Sequence, residues 1–170
     1  MEITNRKQKI AFIVVGIPGC GKSTWIRKHM NPEIDVHISR DEIRFALLNE
    51  EDDYFKQEDK VRQFYFQKIE EFTGNEYTDD CVFIDATHLT PKSRKATMRH
   101  IAADTRTIAL YFDVPINVAL ERNRQRSGRA YVPDNVIYRM SEQLVKPTRK
   151  EGFYEVWYIN KDGQIYGKEF

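Results

Sequence analysis

The sequence has only two cysteines, Cys20 and Cys81, so it cannot carry the disulfide framework of a small secreted domain. No stretch reaches the roughly 18 apolar residues that a membrane-spanning helix needs. The first residues, MEITNRKQK, lack the apolar segment of a secretory signal peptide. The formal net charge is only +1, so any site for nucleic acid must come from local basic clusters. We therefore expect a cytoplasmic protein.

Size and composition are those of one ordinary globular domain. At 170 residues the chain can bury a substantial core, and 41% hydrophobic with 31% charged residues is a typical balance for a globular protein. The sequence shows no internal repeat, low-complexity tract or linker. We expect a single domain over residues 1–170.

Short apolar runs alternate along the chain with longer segments that have a helical pattern. The runs are mostly continuous, which is typical of strands buried on both faces of a sheet. This alternation predicts an α/β fold in which helices flank a central parallel sheet of about five strands. The predicted strands are residues 10–15, 36–38, 81–84, 107–112 and 156–159, and the predicted helices are residues 22–30, 41–49, 57–73, 91–103, 116–126 and 135–146.

Four local signals refine this outline. Thr90 followed by Pro91 predicts a capped helix start, and Pro115 predicts a second start of the same kind. The acidic stretch NEEDDYF, residues 49–55, predicts a solvated loop between two helices, with a metal site as the alternative. The Asp162–Gly163 pair predicts a turn, followed by a small terminal hairpin or an edge strand.

The stretch GIPGCGKST lies between the first predicted strand and the first predicted helix. Residues Gly16 to Ser23 fit the phosphate-loop pattern G-x-x-x-x-G-K-[ST]. Glycines let successive backbone N–H groups turn inward around anionic oxygens, and the positive end of the following helix faces the same oxygens. A chance glycine-rich turn would need neither the lysine nor the hydroxyls. The stretch predicts a site for a nucleoside triphosphate, with Lys22 at its β- and γ-phosphates and Ser23 as a ligand of Mg²⁺.

The second predicted strand runs into ISRDEIR, residues 38–44. Ligands of an open parallel sheet bind at the carboxyl ends of its strands, so Asp41 is expected near the phosphate loop. Its carboxylate can accept the proton of an attacking hydroxyl. Arg44, one helical turn later on the same face, can hold a phosphate of the acceptor. The alternative is a helix cap at Asp41 and a surface ion pair at Arg44.

A further carboxylate ends the third predicted strand. Asp85 follows four apolar residues in a form like a Walker B strand, and it can hold a Mg²⁺-bound water or orient Arg44. Thr87 and His88 come directly after it, and His88 either contacts substrate or is a hydrogen-bonding bystander.

Four arginines lie in the stretch ERNRQRSGR, residues 121–129. Arg122 and Arg126 are four residues apart, so a helix would point both the same way. Phosphoryl transfer needs positive charge over the developing oxygens, and an arginine-rich lid between two helices would supply it and exclude water. The alternative is a solvated basic face.

Together these motifs resemble the 5′-kinase domain of bacterial and phage polynucleotide kinases, a group of adenylate-kinase-like phosphate-loop phosphotransferases. The matching stretches are GIPGCGKSTW, ISRDEIR, VFIDATHLTPKSRK, LERNRQRSGR with VP after it, and RKEGF before the strand VWYI. The resemblance covers roughly residues 10 to 160. The chain departs from it at His88, where the family usually has asparagine.

The resemblance implies transfer of the γ-phosphate of ATP to short, single-stranded 5′-hydroxyl ends of RNA or DNA. It implies that Asp41 is the general base, that Arg44 holds the 3′-phosphate of the first nucleotide, and that Asp85 supports this network. It also implies that Arg126 is the lid arginine on the transferring phosphate, with Arg122 near the nucleotide. The implied site residues are Lys22, Asp41 and Arg126 for catalysis; Gly16, Pro18, Gly19, Cys20, Gly21, Lys22, Ser23, Thr24, Arg122 and Arg126 for ATP; Asp41, Arg44, Asp85, Thr87 and His88 for the acceptor; and Ser23 and Asp85 for Mg²⁺.

Two other functions stay open at this point. A kinase of the same fold could act on a small molecule such as a nucleoside, an antibiotic or a nucleotide-sugar. A third possibility is a nucleotide-binding switch with weak hydrolysis, although a switch would not need Asp41 and Arg44 to bind an acceptor. The near-neutral net charge favours a short nucleic-acid end over a long tract. Four basic residues either follow a nucleic-acid backbone or form the outer face of an amphipathic helix: Lys92, Arg94, Lys95 and Arg99.

Overall fold

The computed structural model describes residues 9–49, 54–75 and 81–170, with the backbone alone at residues 54–56. Within these residues one six-stranded sheet has the strand order β2-β3-β1-β4-β5-β6. The first five strands in this order are parallel, and β6 runs antiparallel to β5. The α/β prediction is confirmed. The strands are β1 Ile10–Val15, β2 Val36–Ser39, β3 Cys81–Asp85, β4 Arg106–Phe112, β5 Glu155–Ile159 and β6 Ile165–Glu169.

The continuous apolar run of β1 reflects its place in the middle of the sheet, because alternate side chains enter the cores on the two faces. On one face Phe12 and Val14 pack with Trp25 in a buried cluster. On the other face Ile13 packs with Tyr65 in a second cluster. Two apolar layers therefore hold the carboxyl ends of the parallel strands in a fixed arrangement.

Six α-helices connect the described strands: α1 Lys22–His29, α2 Arg40–Leu47, α3 Tyr54–Gly74, α4 Pro91–Met98, α5 Ile116–Arg124 and α6 Asp134–Gln143. The side chains of α1, α5 and α6 pack on one face of the sheet, and those of α3 pack on the other. Residues 50–53 of the acidic stretch, where we predicted a solvated loop or a metal site, lie outside the described residues.

The helix starts agree with the sequence more closely than the helix ends. The predicted start of α4 is confirmed: Thr90 and Ser93 form a capping box, and Pro91 opens the helix. Pro115 occupies the N-cap of α5 itself, so the helix begins one residue later than proline at the first helical position would place it. Helix α4 ends at Met98 rather than at residue 103, because backbone bonds three residues apart, such as His100 N–H to the Thr97 carbonyl, turn the chain back toward β4.

The terminal hairpin is confirmed. Strand β6 pairs antiparallel with β5, and Gly163 in the turn has a φ of 79°, which favours glycine. The turn contacts α1, because the Trp25 indole donates to the Gly163 carbonyl at 3.0 Å. Among the described residues, no helix is both long and apolar enough to cross a membrane.

Candidate active site

The phosphate loop connects β1 to α1, and two of its glycines are required by its shape. Gly19 and Gly21 have φ values of 83° and 100°, in the left-handed region that side chains disfavour. A Cβ at position 19 would lie 2.2 Å from the carbonyl oxygen of Ala119 on α5, so the loop packs directly on that helix. These constraints hold the loop as a compact turn at the N-terminal end of α1.

Lys22 folds over the mouth of the loop. Its ammonium donates to the carbonyl oxygens of Gly16 at 3.0 Å and Ile17 at 2.9 Å. Cys20 points into the core, where burial raises the pKa of its thiol, so its side chain is unavailable to a nucleotide. Thr24 is exposed on the first turn of α1.

Asp85 at the end of β3 connects the phosphate loop to β2. Its Oδ2 accepts from the Ser23 hydroxyl at 2.9 Å and lies 3.2 Å from Nε2 of His37. Burial alone would raise the pKa of Asp85, but the hydrogen bond with His37 and the charge of Lys22 lower it below its ordinary value. Asp85 is therefore a buried anion held by two neighbours.

This arrangement fits a nucleotide with its metal ion. Mg²⁺ prefers oxygen ligands and keeps most of its waters, binding proteins through one or two side chains. The Ser23 hydroxyl and the Asp85 carboxylate form such an oxygen pair beside the phosphate loop. A bound Mg²⁺ would neutralise charge on the phosphates. Within the described residues no cluster of three or more histidine, cysteine or acidic side chains offers an alternative metal site.

A cavity of about 1080 Å³ opens beside the loop, at the carboxyl ends of the strands. Its lining includes eight of the predicted site residues: Pro18, Lys22, Ser23, Asp41, Arg44, Asp85, Thr87 and Arg126. The lining also includes side chains that the sequence did not single out, among them Arg27, Arg40, Phe45, Glu58, Arg129 and Tyr131. The structure therefore brings the predicted donor and acceptor residues to one cavity.

Arg44 is held by carboxylates that differ from the one we expected. Its Nε and Nη2 contact Glu58 of α3 at 3.2 and 3.0 Å, and its Nη1 contacts Asp41. The Glu58 carboxylate also accepts from Arg40 at 2.5 Å. The prediction that Asp85 orients Arg44 is wrong, because the partners of Asp85 are Ser23 and His37.

A local sequence pattern marks His37 as a possible site residue, but none marks Glu58. No local pattern marks Glu58, because it lies 14 residues from Arg44 on a separate helix. His37 interrupts the apolar residues of β2 directly before the acceptor motif, and this polar residue in a buried strand was a usable signal. Burial would raise the pKa of Glu58, but its hydrogen bond with Arg44 and the charge of Arg40 hold it below its ordinary value.

The structure places His88 in the core, away from the cavity lining. Its Nδ1 donates to the Val14 carbonyl at 2.7 Å, while Nε2 lies within 3.2 Å of the hydroxyls of Tyr65 and Thr97. Burial lowers the pKa of His88 to about 4, so the ring is neutral. The geometry does not support a substrate contact, because both ring nitrogens of His88 already have hydrogen-bond partners in the core.

The two predicted lid arginines do not share a helix. Helix α5 ends at Arg124, so Arg122 and Arg126 point differently. Arg122 donates to the Lys161 carbonyl at 2.6 Å and lies 3.5 Å from the Cys20 carbonyl, at the outer side of the phosphate loop. Arg126 lies in the following segment, residues 125–133, which contains a 3₁₀ turn at Gly128–Ala130 and which we call the lid.

Arg94 is not available to a nucleic-acid backbone. It is fully buried, and its Nε and Nη2 each lie 2.7 Å from the carboxylate of Glu151. Its Nη1 donates to the carbonyls of His88 and Val145. The exposed side chains of this basic group are Lys92, Lys95 and Arg99.

A protein-family model described as an AAA domain matches residues 12–147, which is well over half of the chain. The chain belongs to this family. The match includes the phosphate loop, helix α2 with Asp41 and Arg44, and the lid. With its fold and its phosphate loop, this AAA-domain protein is a kinase-like phosphate-loop phosphotransferase.

One curated relative is a tRNA kinase. The L-seryl-tRNA(Sec) kinase of Methanococcus maripaludis is 28% identical over 143 residues, which cover 82% of this chain and 54% of that protein. The chain thus spans about half the length of this curated relative. The resemblance to phosphate-loop kinases noted from the sequence is confirmed.

The solved structures with similar folds carry the names of different proteins. A chain of the Pnkp1/Rnl/Hen1 RNA repair complex aligns with a TM-score of 0.67 at 20% identity, over 85% of this chain and 46% of that one. Kti12 of Chaetomium thermophilum, in complex with ADP-AlF3, aligns with a TM-score of 0.63 at 14% identity, over 91% and 90%. A gluconokinase from Sinorhizobium meliloti 1021 aligns with a TM-score of 0.57 at 16% identity, over 92% and 84%. At these identities the likeness concerns the fold.

Proposed function

We propose that this protein is a kinase that transfers the γ-phosphate of ATP to the 5′-hydroxyl end of RNA or DNA. One observation carries the proposal: Asp41 and Arg44 line the same cavity as Lys22 and Ser23. The cavity thus joins a phosphate-binding loop to a carboxylate and a guanidinium. This is the combination that a hydroxyl acceptor with a neighbouring phosphate requires.

On the donor side, the backbone of the phosphate loop holds the phosphates of ATP, and Lys22 contacts the β- and γ-phosphates. To do so, its ammonium exchanges the carbonyls of Gly16 and Ile17 for phosphate oxygens. Ser23 and Asp85 would hold the metal ion, which would neutralise charge on the phosphates, and His37 fixes the orientation of the Asp85 carboxylate. Arg126 places positive charge over the transferring phosphate.

On the acceptor side, the Asp41 carboxylate takes the proton from the attacking 5′-hydroxyl. The hydroxyl oxygen bonds to the γ-phosphorus, and the bond from that phosphorus to the bridging oxygen breaks, which releases ADP. The Asp41 side chain is 74% exposed, so a substrate hydroxyl can reach it. Arg44 binds the phosphate of the acceptor, and Thr87 lines the same cavity.

The aromatic residues of the cavity support an acceptor that carries a base. Phe45 and Tyr131 line the cavity and are 37% and 43% exposed. Exposed aromatic rings are platforms for nucleobases and are sequence-tolerant, which suits a kinase of nucleic-acid ends. The names of two relatives agree with this acceptor class, since one is an RNA repair complex and one a tRNA kinase.

A kinase of a small hydroxyl compound is the second candidate. It is favoured by the pairing of Arg44, whose Nε, Nη1 and Nη2 already contact Glu58 or Asp41. An acceptor without a phosphate would leave this ion-pair cluster undisturbed. The two candidates therefore differ in whether the acceptor must carry a phosphate.

The experiment that decides between them is phosphate transfer from γ-labelled ATP with Mg²⁺ to a panel of acceptors. The panel contains a 5′-hydroxyl DNA oligomer, the matching RNA, a 3′-mononucleotide and a free nucleoside. We expect label on the oligomers, weakened by Arg44→Ala and unaffected by the control Arg139→Ala on the exposed face of α6. Label on the nucleoside alone, insensitive to Arg44→Ala, would replace the proposal with the small-molecule kinase.

A further inference from the structure

Arg129 joins the lid to α2. Its Nη2 donates to the carbonyl of Leu48 at 2.8 Å, and its Nη1 donates to the carbonyl of Phe45 at 3.3 Å. Its guanidinium also lies 4.6 Å from the centre of the Phe45 ring. Because Leu48 caps the C-terminal end of α2, the guanidinium sits at the negative end of that helix dipole. Arg129 thus makes two hydrogen bonds and one cation–π contact with α2 and its C-cap.

The two ends of this connection carry different parts of the site. Helix α2 bears Asp41 and Arg44 in its first turns. The lid bears Arg126, three residues before Arg129, and within the described part of the chain the Arg126 side chain has no hydrogen-bond or ion-pair partner. At its base the lid is fixed by Asn123, which is fully buried and exchanges hydrogen bonds with the backbone of Val132. Arg129 lies between Asn123 and Val132 in the sequence and connects the middle of the lid to α2 and its C-cap.

We propose that Arg129 is a positioning residue that fastens the lid to α2 and thereby holds Arg126 over the acceptor hydroxyl and the transferring phosphate. The proposal rests on the proposed function for the role of Arg126. Arg129 does not itself contact the phosphates, because its two Nη groups are used by carbonyls of α2. Lysine could not replace it, since an ammonium has neither the planar fork nor the stacking surface.

The first test is a double-mutant cycle on the rate of transfer. We expect Arg129→Gln to lower kcat about 10- to 100-fold, as a misplaced catalytic group does, with little change in the KM for ATP. In an Arg126→Ala background the same substitution should have no further effect, because the group it positions is gone. Arg129→Lys should behave like Arg129→Gln. An undiminished loss in the Arg126→Ala background would overturn the proposal.

The second test needs no substrate. Trypsin cuts after arginine, and a lid released from α2 should be cleaved after Arg126 several-fold faster in Arg129→Gln than in the wild type, as read by mass spectrometry. The matched control Arg139→Gln removes an exposed arginine outside the lid and should leave this rate unchanged. Equal cleavage in Arg129→Gln and the wild type would overturn the proposal.

The two tests separate the inference from the proposed function. Faster cleavage after Arg126 together with no transfer to any oligomer would support the connection of lid and helix while removing the proposed acceptor. Transfer at the wild-type rate by Arg126→Ala would remove the role of Arg126 in catalysis, and with it the positioning role of Arg129.

Discussion

The buried His88 makes a sharp prediction about the pH dependence of stability. Its side chain is neutral in the folded protein, because burial lowers its pKa to about 4 from an ordinary value of 6.5. Nδ1 carries the proton, since the Val14 carbonyl can only accept. Acidification must therefore either charge a ring in the core or unfold the chain.

The size of the effect follows from the two pKa values. Above pH 6.5 both the folded and the unfolded chain have a neutral ring, so the contribution of His88 to stability is complete. As the pH falls toward 4, the unfolded chain takes up a proton that the folded chain refuses, and the free energy of unfolding decreases. Between pH 7.5 and pH 5.0 this loss is about 2 kcal/mol, and by pH 4 it approaches about 3 kcal/mol.

The assay is urea denaturation of the wild type and His88→Asn at several pH values from 7.5 to 5.0. Asparagine does not titrate, and it tolerates the positive φ of 45° at this position better than most residues do. Other groups titrate equally in both proteins, so the difference between the two stability curves isolates His88. We expect the variant to lose about 2 kcal/mol less than the wild type over this range. Parallel curves would refute the reasoning, because a ring that costs nothing to charge cannot have a lowered pKa.

Three further predictions concern the site and the core. Lys22→Ala should lower the rate of phosphate transfer about 10³-fold or more in single-turnover assays, because charge stabilisation of this size is usual in phosphoryl transfer; wild-type turnover would remove its role. Asp41→Asn should abolish transfer but leave ATP binding by calorimetry nearly intact, and loss of ATP binding would make Asp41 structural. Arg94→Met should lower the free energy of unfolding by about 3–5 kcal/mol, because the carboxylate of Glu151 loses its buried partner. In the same urea titration Lys95→Met, an exposed neighbour, should change stability by less than about 0.5 kcal/mol, and equal losses in the two variants would contradict the assignment.

The parts of the molecule that sequence reasoning found are those that local patterns encode. The run Ile10–Val15 is apolar throughout because β1 has neighbours on both sides and cores on both faces, and its bounds matched the prediction. The phosphate loop was visible because Gly16, Gly21 and Lys22 stand at the fixed spacing of the phosphate-loop pattern. The C-terminal end of α4 was missed because it depends on where the chain must turn to enter β4.

The parts that were missed depend on pairs of residues distant in the sequence. Asp85 pairs with His37 across 48 positions, and Arg94 pairs with Glu151 across 57 positions. From the sequence Arg94 was one more basic residue on a helix, and only the packing of the segment after α6 shows that it is a core residue. A motif thus predicts which chemistry is present, while the carboxylate that holds each cation follows from the fold.

The side of the cavity formed by α2 and Glu58 is suited to orienting an acceptor rather than to attracting one. Its ion-pair cluster contains two arginines, Arg40 and Arg44, and two carboxylates, Asp41 and Glu58, so it is electrically balanced. A balanced cluster does not draw an anionic acceptor from solution, but its fixed fork can recognise a phosphate at one position. Of the arginines that line the cavity, Arg27 and Arg126 have no ion-pair partner in the described part of the chain, so these two can attract an anionic acceptor. In the proposed function Arg44 recognises the acceptor end, and Arg126 of the lid adds positive charge for binding and transfer.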